Sequence, residues 1–319
     1  MLDFAIRITL SNALRRRGFQ VRKSQNVGAA AEGKNSSRIL VLTSMPKKKI
    51  GIVGCGTIGS QLALAVDSDK IANASLVGLY DIAEIKLLEL KSKLHSSPNA
   101  YSDFGRFLSS GADIIVEAAS QDAMRIFGRP ILEARKDLMV MSVGALADDG
   151  FLTELLEISA RKGCRVYVPT GAIAGIDAIR SVKHHLESVT LTTTKNPRAL
   201  AGAPFIETNK INLDKIIKST VIYEGSAAEA VRAFPANVNV AAVLSLAGIG
   251  VDKTKVRMVA DPQATTNRHE IIAAGSFGDL RIVADNVPSS GNPKTSFLAI
   301  LSAIECLRSI CDDGIRIGS

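Results

Sequence analysis

From Lys49 onward, short apolar runs alternate with stretches of helical period. "KIGIVG" reads as a buried strand, and "TIGSQLALAVDSD" puts Ile58, Leu62, Ala65 and Val66 at helical spacing. "SLVGLYD" predicts a strand, "IAEIKLLELKSKL" a helix and "ADIIVEAAS" a strand. "MRIFGRPILEARK" predicts a helix broken or begun near Pro130. "DLMVMSVGAL", "GFLTELLEISARKG" and "RVYVPTG" continue as strand, helix, strand. Strands alternating with helices in this way argue a doubly wound parallel sheet.

After Gly175 the period changes. "ESVTLTTTK", "KSTVIYEGS", "KVRMVADP", "RHEIIAAG" and "LRIVADN" tend to alternate polar and apolar residues, with "SFGD" as a hairpin turn between the last two. That pattern predicts an antiparallel or mixed sheet with one covered face. "DAIRSVKHHL", "AAEAVRA" and "NVAAVLSLAG" are the helices expected to cover it. "SSGNPKTS" reads as a loop and "FLAILSAIECLRSIC" as a final amphipathic helix.

Composition changes this picture at one end only. The 319 residues are 46% hydrophobic and 22% charged, as in ordinary globular proteins. The net charge of +8 suggests nucleic acid, but residues 1–46 carry eight Lys or Arg against Asp3 and Glu32. The remainder is nearly neutral, which removes the case for a nucleic-acid partner. Residues 1–46 are read as a basic extension, disordered or not native: a transit-like peptide, a flexible tail or, the favoured reading, sequence upstream of a natural start at Met45. No apolar run reaches the roughly 18 residues that cross a membrane. Cys55, Cys164, Cys306 and Cys311 show neither CxxC nor metal-ligand spacing, which suits free thiols and a cytoplasmic protein without a metal site.

Candidate chemistry begins at Gly54-Cys55-Gly56-Thr57-Ile58-Gly59, a GxGxxG between a strand and a helix. Its glycines serve a tight turn, the approach of a pyrophosphate to the helix start and close helix–strand packing. Asp81 closes the second strand about twenty residues on, where a carboxylate binds the ribose hydroxyls. Together these features predict a Rossmann-type dinucleotide domain over residues 47–170. A second α+β domain is expected over 171–293, for substrate binding, catalysis and dimerisation, with the segment 294–319 packing back on the first. No arginine follows Asp81, so NAD is expected over NADP, with NADP still open through Lys86. "EAAS" adds Ala118, Ala119 and Ser120 at the sheet's carboxyl edge as cofactor contacts, and "VPTGAIAG" joins the domains.

His95, His184 and His185 read as surface residues. His269, in "TTNRHEIIAAG", stands where a proton carrier and a structural histidine are equally good readings. Lys195, before Pro197, reads first as an exposed loop lysine; the alternative is a cation for a substrate carboxylate. Asn237 and Asn239 lead an apolar helix. Asn237 suits a helix cap, and the Asn239 amide can both donate and accept, as a cofactor partner requires.

"IGIVGCGTIG", "VEAAS", "VPTGAIAGIDA", "FPANVNVAA" and then "NRHEI" resemble, in order and spacing, the L-aspartate dehydrogenase family, over everything from about Lys48. The resemblance implies NAD(P)-dependent oxidation of L-aspartate to iminoaspartate, or oxaloacetate and ammonia after hydrolysis, feeding NAD biosynthesis. It makes His269 catalytic and Ala172 and Asn239 cofactor contacts. Where the family has SGAIGG, this chain reads TGAIAG, small for small. The substrate carboxylates are assigned to Lys195 and the backbone near Gly171, and a homodimer is expected. The rivals are a two-domain reductase of the dihydrodipicolinate reductase or homoserine dehydrogenase type, and a non-catalytic NAD(H) sensor.

Overall fold

The computed structural model describes residues 46–235, 238–289 and 291–312, together with 19–21 and 42–44, which pair as two short antiparallel strands. The expectations for the rest of 1–46 and for Asn237 lie outside the described residues.

Six parallel strands form the first sheet: β1 (Lys48–Val53), β2 (Ala74–Tyr80), β3 (Asn99–Tyr101), β4 (Ile114–Glu117), β5 (Asp137–Val140) and β6 (Val166–Tyr167). Their spatial order is β3-β2-β1-β4-β5-β6, the doubly wound dinucleotide arrangement, with its crevice between β1 and β4 where the order reverses. Helices cover both faces: α1 (Thr57–Asp67), α2 (Glu84–Lys91), α3 (Phe104–Leu108), α4 (Gln121–Glu133) and α5 (Asp149–Lys162). All four residues of β4 are buried, as expected of a strand covered on both faces.

The second sheet contains β7 (Leu186–Lys195), β8 (Thr220–Ser226), β9 (Lys255–Ala260), β10 (Asn267–Gly275) and β11 (Gly278–Asn286), in the order β8-β9-β7-β10-β11. Only the β9–β7 pair is parallel, so the sheet is mixed. The β10–β11 hairpin turns at Ser276 and Phe277, with Gly275 opposite Gly278. Helices α6 (Ile176–Ser181), α7 (Pro204–Thr208), α8 (Ala227–Ala233) and α9 (Asn239–Ala247) complete the domain. Helix α8 begins with a capping box in which Ser226 and Glu229 exchange hydrogen bonds.

A continuous apolar cluster joins the two domains, from Leu138 through Val143 and Leu146 to Val240, Leu191 and Ile271. A second cluster lies on the other face of the first sheet. There the final helix, α10 (Phe297–Cys311), buries Ala303, Leu307 and Cys311 against Ile50, Leu62 and Val66.

Several local expectations need correction. Helix α4 runs unbroken through Pro130. The bond lost there is to the carbonyl of Ile126, a residue 64% exposed, so its cost falls on the solvent side. The strand of "DLMVMSVGAL" stops at Val140, and Val143–Ala147 tightens into a 3₁₀ turn. "DAIRSVKHHL" divides into α6 and a 3₁₀ turn over Lys183–His185. The short elements β3, α3 and α7 went unread because three to five residues show no period.

Candidate active site

Between β1 and α1 the chain makes the turn its glycines require. Gly54 has φ of +94°, and a side chain there would strike the Ala118 carbonyl at 2.6 Å. A Cβ on Gly59 would lie 1.8 Å from the Gly54 carbonyl, whereas one on Gly56 meets no atom within 4 Å. Helix α1 starts at Gly56 with no side-chain cap and no acidic residue in its first turn, so its own first turn leaves its positive end unneutralised. The Asp81 carboxylate accepts from Cys55 N at 2.7 Å and from Ala83 N at 2.8 Å, which ties the end of β2 to the glycine turn. Burial, and then the Asp81 charge, push the Cys55 thiol up to about 12, so it stays protonated and serves as packing.

The ends of β4 and β5 are bound by a residue that sequence reasoning did not single out. Glu117 is fully buried. Its carboxylate accepts from Ala119 N (2.9 Å), Ser142 N (3.0 Å) and Ser142 Oγ (2.8 Å). Burial pushes its pKa up, against hydrogen bonds that pull it down. The available signal was a carboxylate closing an otherwise apolar run, "IIVE". Ala118 and Ala119 follow at the crevice rim. Ser120 is spent on structure: its hydroxyl caps α4 by accepting from Ala123 N at 3.1 Å.

The second domain meets this edge through Asn239, in the first turn of α9. Its Nδ2 donates to the Met141 carbonyl and its Oδ1 accepts from Gly144 N, both at 3.1 Å. Gln121 crosses the same boundary, donating to the Pro235 carbonyl at 3.0 Å.

The covered face of the second sheet changes character along its length. On β7 the inward positions are Val189, Leu191, Thr193 and Lys195, and on β10 they are Asn267, His269, Ile271 and Ala273; all are buried. One end of the face is therefore apolar and the other polar. Lys195 is 3% exposed, not the loop lysine expected of a residue before Pro197. The period of two carries it inward with Thr193. His269 lies opposite Thr193 in the register, with Nδ1 3.0 Å from Thr193 Oγ1. Burial, and then the Lys195 charge, lower the imidazole from 6.5 to about 3, so it rests neutral. Asn286 donates to the Ala172 carbonyl at 2.9 Å and holds the interdomain segment against β11.

One cleft gathers Ile58, Gly171, Ala172, Lys195, Asn239 and His269, with Thr295 and Ser296 along its rim. The space it encloses is about 100 Å³, with apolar walls and a few convergent polar groups as in a small-molecule site. The remaining candidates, Gly54, Gly56, Thr57, Gly59, Asp81, Ala118, Ala119 and Ser120, lie beside it at the carboxyl edge of the first sheet. His95, His184 and His185 are exposed, away from the cleft. Among the described residues no cluster of His, Cys, Asp or Glu could hold a metal ion. The edge fits a nicotinamide dinucleotide. The uncapped start of α1 faces the space over Gly56, where an anionic pyrophosphate belongs, and Asp81 offers a carboxylate to a ribose.

Comparisons with known proteins agree with this geometry. Residues 54–169 match the family model for the homoserine dehydrogenase NAD binding domain, and residues 177–310 that for the aspartate dehydrogenase C-terminal domain. The chain is 49% identical to L-aspartate dehydrogenase of Nitrosopumilus maritimus over 85% of this chain and 100% of that protein. It is 48% identical to L-aspartate dehydrogenase of Methanosarcina barkeri over 85% and 99%. The crystal structure of aspartate dehydrogenase from Thermotoga maritima superposes with a TM-score of 0.66 at 26% identity, covering 85% of this chain and 99% of that one. The homoserine dehydrogenase likeness is confined to the first domain, while the second domain and the whole-length relatives agree on one assignment. The chain belongs to the L-aspartate dehydrogenase family.

Proposed function

We propose that this chain catalyses NAD(P)-dependent oxidation of L-aspartate to iminoaspartate, which hydrolyses to oxaloacetate and ammonia. The observation that carries the reading is a neutral buried histidine and a buried lysine of the second sheet facing a dinucleotide edge across one cleft. A bound nicotinamide ring supplies the acceptor for the hydride that leaves the aspartate α-carbon.

The chain's own residues orient the substrate and move a proton. His269, with Nδ1 engaged by Thr193, has Nε2 left to take a proton from the substrate ammonium. The freed nitrogen lone pair then closes the C=N bond as the α-hydrogen departs with its electron pair. Lys195 holds a substrate carboxylate, and the backbone at Gly171 contacts the other end of the substrate. The apolar walls Val140, Val143 and Val240 keep water from the reacting carbon. Gly54, Gly56, Thr57, Ile58 and Gly59 hold the pyrophosphate side of the cofactor. Ala118, Ala119 and Ser120 line its approach, and Ala172 and Asn239 frame its nicotinamide half.

Asp81, followed by Ile82 and Ala83, supports NAD over NADP: a carboxylate repels a 2′-phosphate and no arginine stands next to it. The exposed face of the second sheet, with Ile272 48% and Val283 40% exposed, supports a homodimer. Free thiols at all four cysteines support a cytoplasmic setting, and among the described residues no helix is long and apolar enough to cross a membrane. The imine product supports a role in supplying NAD biosynthesis.

The test is NADH consumption with oxaloacetate and ammonia, repeated with NADPH and with other 2-oxo acids. Ammonia-dependent oxidation selective for oxaloacetate is the expected result. NADH binding without turnover on these substrates overturns the reading.

A further inference from the structure

Thr193 stands where the covered face of its strand turns from apolar to polar. The inward positions before it, Val189 and Leu191, are apolar, as are Ile271 and Ala273 opposite them. A valine would suit a buried strand position equally well, and a buried hydroxyl costs free energy unless it is hydrogen-bonded. Thr193 is 1% exposed, and its Oγ1 lies 3.0 Å from His269 Nδ1.

We propose that Thr193 is a positioning residue for aspartate oxidation: its hydroxyl engages His269 Nδ1 and accepts from Nδ1–H in the working enzyme, holding the ring with the Nε2 lone pair toward the cleft. This rests on the reading of His269 as proton acceptor. Neutral imidazole has two tautomers, and only the one protonated on Nδ1 has a basic Nε2. Once Nε2 takes the substrate proton, Nδ1–H still donates to the same hydroxyl, so the partner suits both charge states.

The surroundings explain why a hydroxyl serves here. Lys195, two residues along β7, is the charged group facing the imidazole. Neighbouring β11 sets Ala284 opposite His269, and α9 lines the cleft with Asn239, Val240 and Val243. No carboxylate is among these groups. A carboxylate at position 193 would hold the imidazolium and retain the proton. A hydroxyl can accept from Nδ1–H in both charge states yet, being uncharged, lets the proton leave after each turnover.

The test compares Thr193→Val, Thr193→Ser and His269→Ala by pH profiles of aspartate oxidation and by NADH titration. Thr193→Val is expected to lower kcat by about 10- to 100-fold, with NADH affinity within about twofold. Its acidic limb should move to lower pH, because the imidazolium loses an acceptor. Thr193→Ser should recover most of the loss. Equal losses in the Val and Ser variants would mean packing alone and overturn the proposal. A slow His269→Ala beside a normal Thr193→Val overturns the role of Thr193 only; an unimpaired His269→Ala removes His269, and with it the basis for Thr193. Imidazole ¹⁵N NMR of the wild-type protein, with four histidines to assign, reads the tautomer without any variant at 193. Protonation at Nε2 in the resting enzyme would overturn the proposal.

Discussion

Asn239 holds Gly144 across the domain boundary, accepting its N–H at 3.1 Å while donating to the Met141 carbonyl at the same distance. The amide therefore has one orientation, and it fixes the 3₁₀ turn that follows β5. Asn239→Ala removes both bonds and is expected to cost about 1–3 kcal/mol and to weaken NADH binding. Asn239→Asp should cost more, since its carboxylate faces the Met141 carbonyl. Thermal unfolding and NADH titration, run side by side, read the two effects.

The glycines of the first turn separate packing from binding. Gly59→Ala drives a methyl into the Gly54 carbonyl and should yield little folded protein. Gly56→Ala meets no atom of the chain, so its melting temperature should stay within about 1–2 °C of wild type. NADH affinity should nevertheless fall by tenfold or more, to about the cost of one displaced contact. A Gly56→Ala protein with normal NADH affinity would remove the pyrophosphate from that place.

His269 gives stability a pH dependence of known sign. Its folded pKa, about 3, lies below the unfolded 6.5, so between those values the unfolded chain binds more protons. Its contribution is complete above pH 6.5 and is lost as pH falls toward 3, at roughly 1 kcal/mol per pH unit. Denaturant unfolding between pH 7 and 5 should show a steeper decline for the wild type than for His269→Asn. Parallel slopes would contradict the burial argument. The same variant should lose about 10²- to 10⁴-fold in turnover.

Glu117 braces two strand ends from inside the first domain. Glu117→Gln keeps the shape but turns a donor toward Ser142 N, Ser142 Oγ or Ala119 N. Each buried donor left without an acceptor costs about 1–3 kcal/mol. Chemical denaturation should show the loss, and cofactor KM should rise because the loops after β4 and β5 loosen. A neutral outcome would mean that the carboxyl is already protonated and donating.

Much of this was legible because the two sheets leave different marks. Strands buried on both faces show as apolar runs, and the dinucleotide turn needs glycines at fixed spacing, so β1, β2, β4 and Asp81 were readable. Lys195 was misread because one lysine before a proline carries no sign of its face, although the alternation running back to Val189 did. Glu117 and Thr193 were passed over for a related reason. Each is a polar residue at an apolar position, and its meaning depends on a partner distant in sequence, Ser142 or His269. Asn239 announced a polar need, but Met141 and Gly144 as its partners emerge only from the packed domains.

The return of α10 to the first sheet has a consequence for how the protein is made. Ala303, Leu307 and Cys311 close the cluster around Ile50, Leu62 and Val66. The sheet translated first is thus sealed last, after the whole second domain has left the ribosome. At about 5–20 residues per second, that apolar stripe waits uncovered for on the order of ten seconds or more. Over that interval the nascent chain presents an apolar surface of the kind chaperones bind, and a ribosome stalled before Phe297 leaves a product with its cofactor domain open along one side.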